Sequence, residues 1–453
     1  MTPKELAWAF IKAYTSAHNE PFTKGSVFGR TDTLQNLRAR LGVERDKIMD
    51  DSAALFEFAK ECLSSTTVLF DLGLDALNKE ELGALVPLAL HMCARYGTKD
   101  TLAESVLDTV ARQFPELLHQ DIRDVFQLSC DSPYGAFEKA WRGLDRASLE
   151  FFKNKLTSTE WDRGEASRLE RGELTIKRKL LKTLLASRDK ETIEFVYQYM
   201  LENRPLIAER LKNREDYQRF LDVSIEDVGF TRRGGEIVSC CPSASYHFVF
   251  QKYYYFRGKR RRHATETLEP VTPCLEFGGV LEEGENPLCH LITLEPIPAG
   301  IKISGLRRLV LGVHLRETDM SIPFYQHDQN GYPVKIKDAS NEVREEDRCH
   351  NFPIKPSTVA FAPTPQRWIL QEWEDGNGNM FKLGGEPAWI QSPDIQTCPV
   401  CGEKMDFLMQ LDNGLPDMDK ERKDGEVWWG SGGMCYVLWC DKCNVSAYVM
   451  QCT

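Results

Sequence analysis

The chain has 453 residues, of which 42% are hydrophobic and 28% are charged. This ordinary composition excludes collagen-like, coiled-coil and largely disordered proteins. The formal net charge of −11 argues against a protein whose main activity is binding a nucleic-acid backbone, because that affinity comes from Lys and Arg. The 14 cysteines are too few for a disulfide scaffold, and their positions in the sequence decide whether they are metal ligands or ordinary thiols.

The sequence carries no signal of targeting or membrane insertion. Polar residues interrupt residues 1–20, which therefore lack the apolar core of a signal peptide. The most apolar stretch, at 82–90, is too short for a bilayer, which needs about 20 residues. We expect a cytoplasmic protein whose cysteines stay reduced or bind metal.

Residues 1–225 are expected to form an all-helical domain, because apolar residues recur there at spacings of three and four. Two stretches resemble each other. The apolar helix Leu85–Arg95 precedes a helix over 99–115, and Arg178–Leu185 precedes one over 190–205, which Pro205 is expected to end. This pattern favours an array of HEAT-like helical hairpins, in which each pair packs on its neighbour. A plain helical bundle is the alternative.

Residues 226–453 are richer in glycine, proline and aromatic residues, with short runs typical of strands. We expect a β-rich domain there, giving an α+β protein. In the first part of this domain, a basic cluster follows a run of aromatic residues. The aromatic residues could stack on the bases of a nucleic acid and the basic residues could neutralise its phosphates, or the segment could be a strand that leads into an exposed basic hairpin. Its candidate residues are Tyr254, Arg257, Lys259, Arg260, Arg261 and Arg262.

The β-rich domain contains two segments with the same order of features. A Gly-Gly pair at 278–279 precedes apolar runs at 287–294 and 308–312, and a pair at 384–385 precedes runs at 404–411 and 434–438. Glycine pairs allow a positive φ or a close backbone approach. The pattern predicts a pseudo-duplicated domain with halves at about 226–340 and 341–453. Cys274, Cys289 and His290 would mark a vestigial metal site or ordinary buried side chains.

Two C-x2-C pairs lie within the second predicted half. Cys398 and Cys401 form the first pair, which is followed by a glycine, and Cys440 and Cys443 form the second. Four thiolates satisfy a closed tetrahedral Zn²⁺ site, so we predict one structural Zn²⁺ in a zinc ribbon over 398–443. Redox-active pairs are the alternative, but no thioredoxin-like context is indicated.

The segment from 398 to the end holds five Lys or Arg against nine Asp or Glu, which disfavours a ribbon that binds phosphates. Trp428 and Trp429 lie between the two cysteine pairs, beside a glycine run. Paired tryptophans beside mobile backbone are candidates for anchoring a protein partner.

Three segments resemble the YwqG-like family, a domain of unknown function. They are Lys382–Gln391 (KLGGEPAWIQ), Met405–Asp412 (MDFLMQLD) and Trp429–Tyr436 (WGSGGMCY). The family has GGxPxWIQ, FLxQxD and WGDxGxxYxF at these places, and Ser431 stands here where the family has an acidic residue. The resemblance implies a duplicated β-rich domain without established catalysis, of a kind found among bacterial immunity proteins that neutralise polymorphic toxins.

The sequence contains no HExxH, GxSxG or kinase motif, and we expect no enzymatic activity. The leading functional prediction is a cytoplasmic protein that binds another protein, as an immunity protein binds a toxin. The acidic charge suits a basic partner, because complementary charge speeds and orients association. The alternative is a zinc-ribbon regulator that binds nucleic acid through Arg257–Arg262. A hydrolase would need a cleft with paired, pKa-shifted groups.

Overall fold

The computed structural model describes residues 78–96, 102–131, 137–158, 176–210, 223–250, 268–318, 321–336, 352–373, 379–418, 425–430 and 432–452. The chain divides into two compact units, residues 1–223 and 224–453. The described part of the first unit contains helices, and that of the second contains mainly antiparallel strands. Each unit has buried apolar residues of its own.

The first unit has six described α-helices, and capping residues define where some begin. The Asp145 carboxylate accepts from the Ser148 N–H at 2.7 Å, and the Asp189 carboxylate accepts from the Thr192 N–H at 2.8 Å. Each aspartate thereby satisfies an otherwise unpaired N–H of a first helical turn. The helices are α1 (Lys79–Tyr96), α2 (Leu102–Gln113), α3 (Ile122–Asp131), α4 (Arg146–Ser158), α5 (Ile176–Ala186) and α6 (Lys190–Arg210), with 3-10 helices at Pro115–Asp121 and Glu138–Trp141.

The predicted array of HEAT-like hairpins is wrong for the described helices. Between the two similar helix pairs, α3, α4 and the short helix Glu138–Trp141 converge on one aromatic centre. Phe126, Trp141 and Phe152 meet there with ring centroids 5.2–6.1 Å apart. Packing around a shared centre replaces the repeated stacking of hairpins on their neighbours. Helix α6 also continues through Pro205, which lies within it.

The second unit is built on one 12-stranded antiparallel sheet with the order β5-β6-β4-β10-β3-β11-β12-β15-β16-β8-β9, in which β7 pairs with β6. Two two-stranded sheets, β1–β2 and β13–β14, complete the described strands. The strands are β1 (Phe230–Arg233), β2 (Glu236–Ser239), β3 (Ser245–Phe250), β4 (Leu275–Phe277), β5 (Val280–Glu282), β6 (Leu288–Leu294), β7 (Leu309–Val313), β8 (Phe324–His327), β9 (Pro333–Lys335), β10 (Ser357–Pro363), β11 (Lys382–Gly384), β12 (Asp406–Asp412), β13 (Leu415–Pro416), β14 (Glu426–Val427), β15 (Met434–Cys440) and β16 (Val445–Gln451).

The two predicted halves, 226–340 and 341–453, both contribute strands to this single sheet. Strand β10 from the second half pairs with both β3 and β4 from the first, and β16 pairs with β8. Strands from the two halves therefore pair with one another within one sheet. Origin by duplication stays a prediction.

Both faces of the sheet are covered near β12, β15 and β16. Along β15, Cys435, Val437 and Trp439 join one buried apolar cluster, whereas Tyr436 and Leu438 join another. Because successive strand residues point to opposite faces, these clusters lie on opposite sides of the sheet. The second cluster also contains Cys398 and Cys440, and it positions the candidate site.

Candidate metal centre

Strand pairing brings the two cysteine pairs together. The first pair lies just before β12, and the second lies at the end of β15 and in the turn to β16. Strands β12 and β15 are antiparallel neighbours, with Asp406 opposite Trp439. The beginning of one strand therefore lies beside the end of the other, which explains how distant cysteines meet.

Each pair forms a tight backbone turn around its sulfurs. In the first, the Cys398 N–H donates to Glu403 O at 2.8 Å, and the Gly402 N–H donates to Cys398 O at 2.9 Å. Gly402 has a φ of +73°, which glycine adopts without strain. In the second, the Cys443 N–H donates to Cys440 O at 3.3 Å. Both turns hold two thiols toward the same point.

The four thiols form a compact set of sulfur donors. The Sγ atoms of Cys398, Cys401, Cys440 and Cys443 all lie within 4.8 Å of one another. The Cys401 and Cys440 sulfurs are 3.7 Å apart. A tetrahedral ion with metal–sulfur bonds of about 2.3 Å holds its sulfurs about 3.8 Å apart. The arrangement is therefore compatible with a metal site that has four sulfur ligands.

The thiols differ in how readily they lose a proton. Desolvation and the neighbouring Cys401 raise the pKa of Cys443 to about 11, and desolvation also raises the pKa of Cys440. Desolvation acts in the same direction on Cys401, but the Glu403 N–H and the other thiols lower its pKa below the ordinary value. A metal ion binds thiolates, so its binding must displace protons from this cluster.

Charged side chains tie the centre to its surroundings. Lys442 in the second turn forms an exposed ion pair with Glu403 in the first, at 2.8 Å. The Arg233 guanidinium, at the end of β1, donates to both carboxylate oxygens of Asp406, at 2.6 and 3.2 Å. Burial raises the pKa of the neighbouring Cys240 thiol to about 12, so this cysteine stays protonated.

The structure separates the two tryptophans that were predicted to anchor a partner. Trp428 is 47% exposed. Trp429 is fully buried, and its indole N–H donates to Asp412 O at 3.0 Å. Of the pair, only Trp428 is exposed, while Trp429 is buried at the end of β12.

Cys274, Cys289 and His290, the candidates for a vestigial metal site, do not form a ligand set in the described part of the chain. Cys274 is exposed and Cys289 is buried. Both ring nitrogens of His290 are engaged, with Gly278 O at 2.8 Å and with the Thr293 hydroxyl at 2.9 Å. The four-cysteine set is the one group of metal-ligating side chains found among the described residues. The candidate nucleic-acid residues Tyr254, Arg257, Lys259, Arg260, Arg261 and Arg262 lie outside those residues.

Residues 386–392 form a strap across the sheet, which the sequence reasoning missed. The Ala388 N–H donates to the Gln410 side chain at 2.9 Å, and the Ile390 N–H donates to the Tyr436 hydroxyl at 3.0 Å. That hydroxyl donates in turn to Ala388 O at 2.7 Å. Gln451 binds the far end of the strap through Gln391 and Ser392. The strap leads directly into the first cysteine turn.

A signal for this strap was present in the sequence. Buried strands with apolar neighbours seldom carry a fully buried glutamine, and Gln410 stands in such a strand. Buried polar side chains need hydrogen-bond partners, and a crossing segment of backbone supplies them.

No protein-family model matches the chain, and no solved structure matches it. The chain is similar to an uncharacterized protein, YpfL, of Salmonella typhimurium, with 38% identity over 234 residues. The match covers 47% of this chain and 52% of that protein. The chain thus spans about half the length of the curated relative it matches. Among the described helices, none has the length and apolar character needed to cross a bilayer.

Proposed function

We propose that the four-cysteine centre binds one structural Zn²⁺ in a non-enzymatic protein whose role is to bind another protein. The observation that carries the proposal is the closed donor set. Four sulfurs lie within 4.8 Å of one another and satisfy a tetrahedral ion without a position for substrate or water. The soft thiolate ligands favour zinc, because they bind Zn²⁺ in preference to hard cations such as Mg²⁺ and Ca²⁺.

Elemental analysis of the purified protein tests the metal. We expect about one Zn²⁺ per chain in the wild type and less than a tenth of that in Cys398→Ser and Cys440→Ser. Cys274→Ser is the matched control, since Cys274 is exposed and stands apart from the cluster. Metal-free wild-type protein purified under reducing conditions would refute the zinc assignment.

The binding role is proposed in its specific form as that of an immunity protein that occludes a toxin. It is supported by the resemblance to the YwqG-like family and by the net charge of −11, which suits a basic toxin such as a nuclease. Co-expression with the product of the neighbouring gene tests it. Rescue from toxicity and a co-purifying complex are expected, and the absence of both would reject the role.

The rival role, nucleic-acid binding through Arg257–Arg262, is tested on the same protein. Neutralising phosphates gives an affinity that falls with salt. A salt-dependent shift of labelled DNA or RNA that is lost when Arg260, Arg261 and Arg262 are changed to Glu would favour this role. No shift is expected if the protein binds a basic protein partner.

A further inference from the structure

The second cysteine turn lies beyond the strand ladder. Pairing of β15 with β16 ends at Cys440 and Val445, so the residues between them are outside the paired strands. Within the turn, the Cys443 N–H donates to Cys440 O at 3.3 Å, and Asn444 has a φ of +52°, in the left-handed region. Asn444 O accepts from the His327 N–H at 2.7 Å. This bond fastens the end of the turn, and its beginning is fastened separately.

The beginning of the turn is bonded to the loop that joins β6 to β7. The Asp441 carboxylate, on a side chain that is 14% exposed, accepts from the backbone N–H of Ser304. The Trp439 indole N–H donates to the same oxygen at 3.5 Å, and the Lys302 ammonium lies 3.9 Å from the other oxygen. In the chain, Asp441 stands between the two cysteines of the second pair. The contact with the loop therefore ends on the turn that carries two of the four candidate ligands.

The loop is itself anchored in the core of the second unit. Ile301 and Leu306 belong to the large buried cluster that also contains Trp439, and Ile303 packs against it. Apolar residues on both sides of Ser304 thus hold the loop in place, and they present its N–H at a fixed position beside the turn.

Groups outside the ligand set raise metal affinity when they fix the positions of the ligands. Without the bond to Ser304, the metal-free turn gains conformational freedom, which the ion must remove again on binding. The charge of Asp441 acts in the opposite direction. Four thiolates around one Zn²⁺ carry a net negative charge, so a nearby carboxylate disfavours the loaded centre. Position and charge therefore predict opposite effects when the carboxylate is removed.

We propose that Asp441 is a positioning residue for the metal, through which the β6–β7 loop holds the second cysteine turn in the geometry that binds the ion. This inference rests on the proposed function, because it requires that the four thiols hold Zn²⁺. It extends the metal centre beyond its two cysteine turns to a loop about 140 residues earlier in the chain, through the bond between Ser304 and Asp441.

Competition with a chromogenic zinc chelator, on the full chain under reducing conditions, tests this role. Asp441→Ala removes the acceptor and should raise the Kd for Zn²⁺ about tenfold or more. Asp441→Asn keeps an oxygen acceptor but removes the charge, and its Kd should stay within about threefold of the wild-type value. Asp441→Glu keeps the charge but displaces the acceptor, so it should bind Zn²⁺ more weakly than Asp441→Asn.

Glu403→Gln is the matched control for charge. It removes a carboxylate from the first cysteine turn, where Glu403 forms an exposed ion pair with Lys442. Exposed pairs of this kind contribute little, so its Kd should also stay within about threefold of the wild-type value.

The outcomes separate this role from the zinc assignment. Wild-type protein that binds no zinc refutes both proposals. Zinc-binding wild type with an unchanged Kd in Asp441→Ala rules out the positioning role and leaves the zinc assignment standing. Tighter binding by both Asp441→Ala and Asp441→Asn would show that Asp441 acts through its charge, which also overturns the proposal. If Asp441→Ala does not fold, the other two variants decide, since weaker binding by Asp441→Asn than by Asp441→Glu contradicts a positional role.

Discussion

At the residue scale, Gly384 occupies a backbone position that admits no side chain. Its φ is +71°, and an added Cβ would lie 2.2 Å from Ala244 O. We predict that Gly384→Ala lowers the free energy of unfolding by about 3 kcal/mol, through left-handed strain and backbone overlap. Gly305 has a similar φ of +77°, but an added Cβ there would have no atom within 4 Å. We therefore expect Gly305→Ala to lower the free energy of unfolding by only about 1 kcal/mol. Denaturant unfolding measures both, and equal effects would contradict the prediction.

His327 should make the protein sensitive to acid. It is buried in its neutral form, donating from Nδ1 to Gly331 O at 3.0 Å and accepting at Nε2 from the Ser446 hydroxyl at 2.8 Å. Burial lowers its pKa from 6.5 to about 4. The unfolded chain therefore binds more protons between these values, and stability is intact above about pH 6.5 and falls toward pH 4.

We expect this histidine to remove about 3 kcal/mol of stability across that window. Burial also lowers the pKa of His290, which adds a loss of the same sign. Urea unfolding of His327→Gln, which keeps a donor and an acceptor, should show a shallower fall between pH 7 and pH 5 than the wild type. An identical fall in stability with pH in the two proteins would mean that folding does not lower the pKa of His327.

Among single residues, the sequence could predict those whose role depends on spacing alone. Cys398 and Cys440 can be identified as ligands from the sequence, because two C-x2-C pairs suffice to specify a donor set. The Gly-Gly corners were recognised because only glycine tolerates such backbone. The burial of Trp429 could not be predicted, because it depends on Asp412 O, a backbone acceptor brought near by the fold.

At the scale of elements, the strap 386–392 should depend on the Tyr436 hydroxyl. This buried hydroxyl bonds to both Ala388 and Ile390, and its removal leaves two backbone groups unpaired. We predict that Tyr436→Phe costs about 2–3 kcal/mol and speeds hydrogen exchange at the strap. Hydrogen-exchange mass spectrometry of peptides from 386–397 measures the local effect.

Tyr448→Phe is the matched control for the strap. The Tyr448 hydroxyl is also buried, but it accepts from the Gly312 N–H at 3.1 Å on the other face of the sheet. Its loss should lower stability without faster exchange at 386–392. If both variants leave strap exchange unchanged, the strap is held by its apolar packing, as between Trp389 and Tyr436.

The helices show why element-level prediction succeeded only in part. Apolar spacing identifies a helix and its buried face, as Val106 and Val110 do in α2. It does not say which helix covers that face. The hairpin array failed because Phe126, Trp141 and Phe152, which come from three successive elements, meet in one aromatic centre. Local similarity of two hairpins carries no information about such a contact.

At the scale of the molecule, the order of strands in the sheet was beyond the reach of sequence patterns. Strand β3 lies between β10 and β11, which follow it by more than a hundred residues. Alternation of side chains identifies strands but not their partners. The cysteine pairs are the exception, because a shared ion requires that β12 and β15 be neighbours at their ligand-bearing ends.

Because the candidate metal centre lies within the second unit, removing the proposed ion should destabilise the two units unequally. An ion present at a thousand times its dissociation constant contributes about 4 kcal/mol to the state that binds it. We predict that chelation lowers the midpoint temperature of unfolding of the β-sheet unit by several degrees. The midpoint of the helical circular-dichroism signal at 222 nm should stay unchanged. Cys440→Ser should reproduce the shift without chelator. A common shift of both signals would show that the units unfold as one, and no shift would show that the ion stabilises neither.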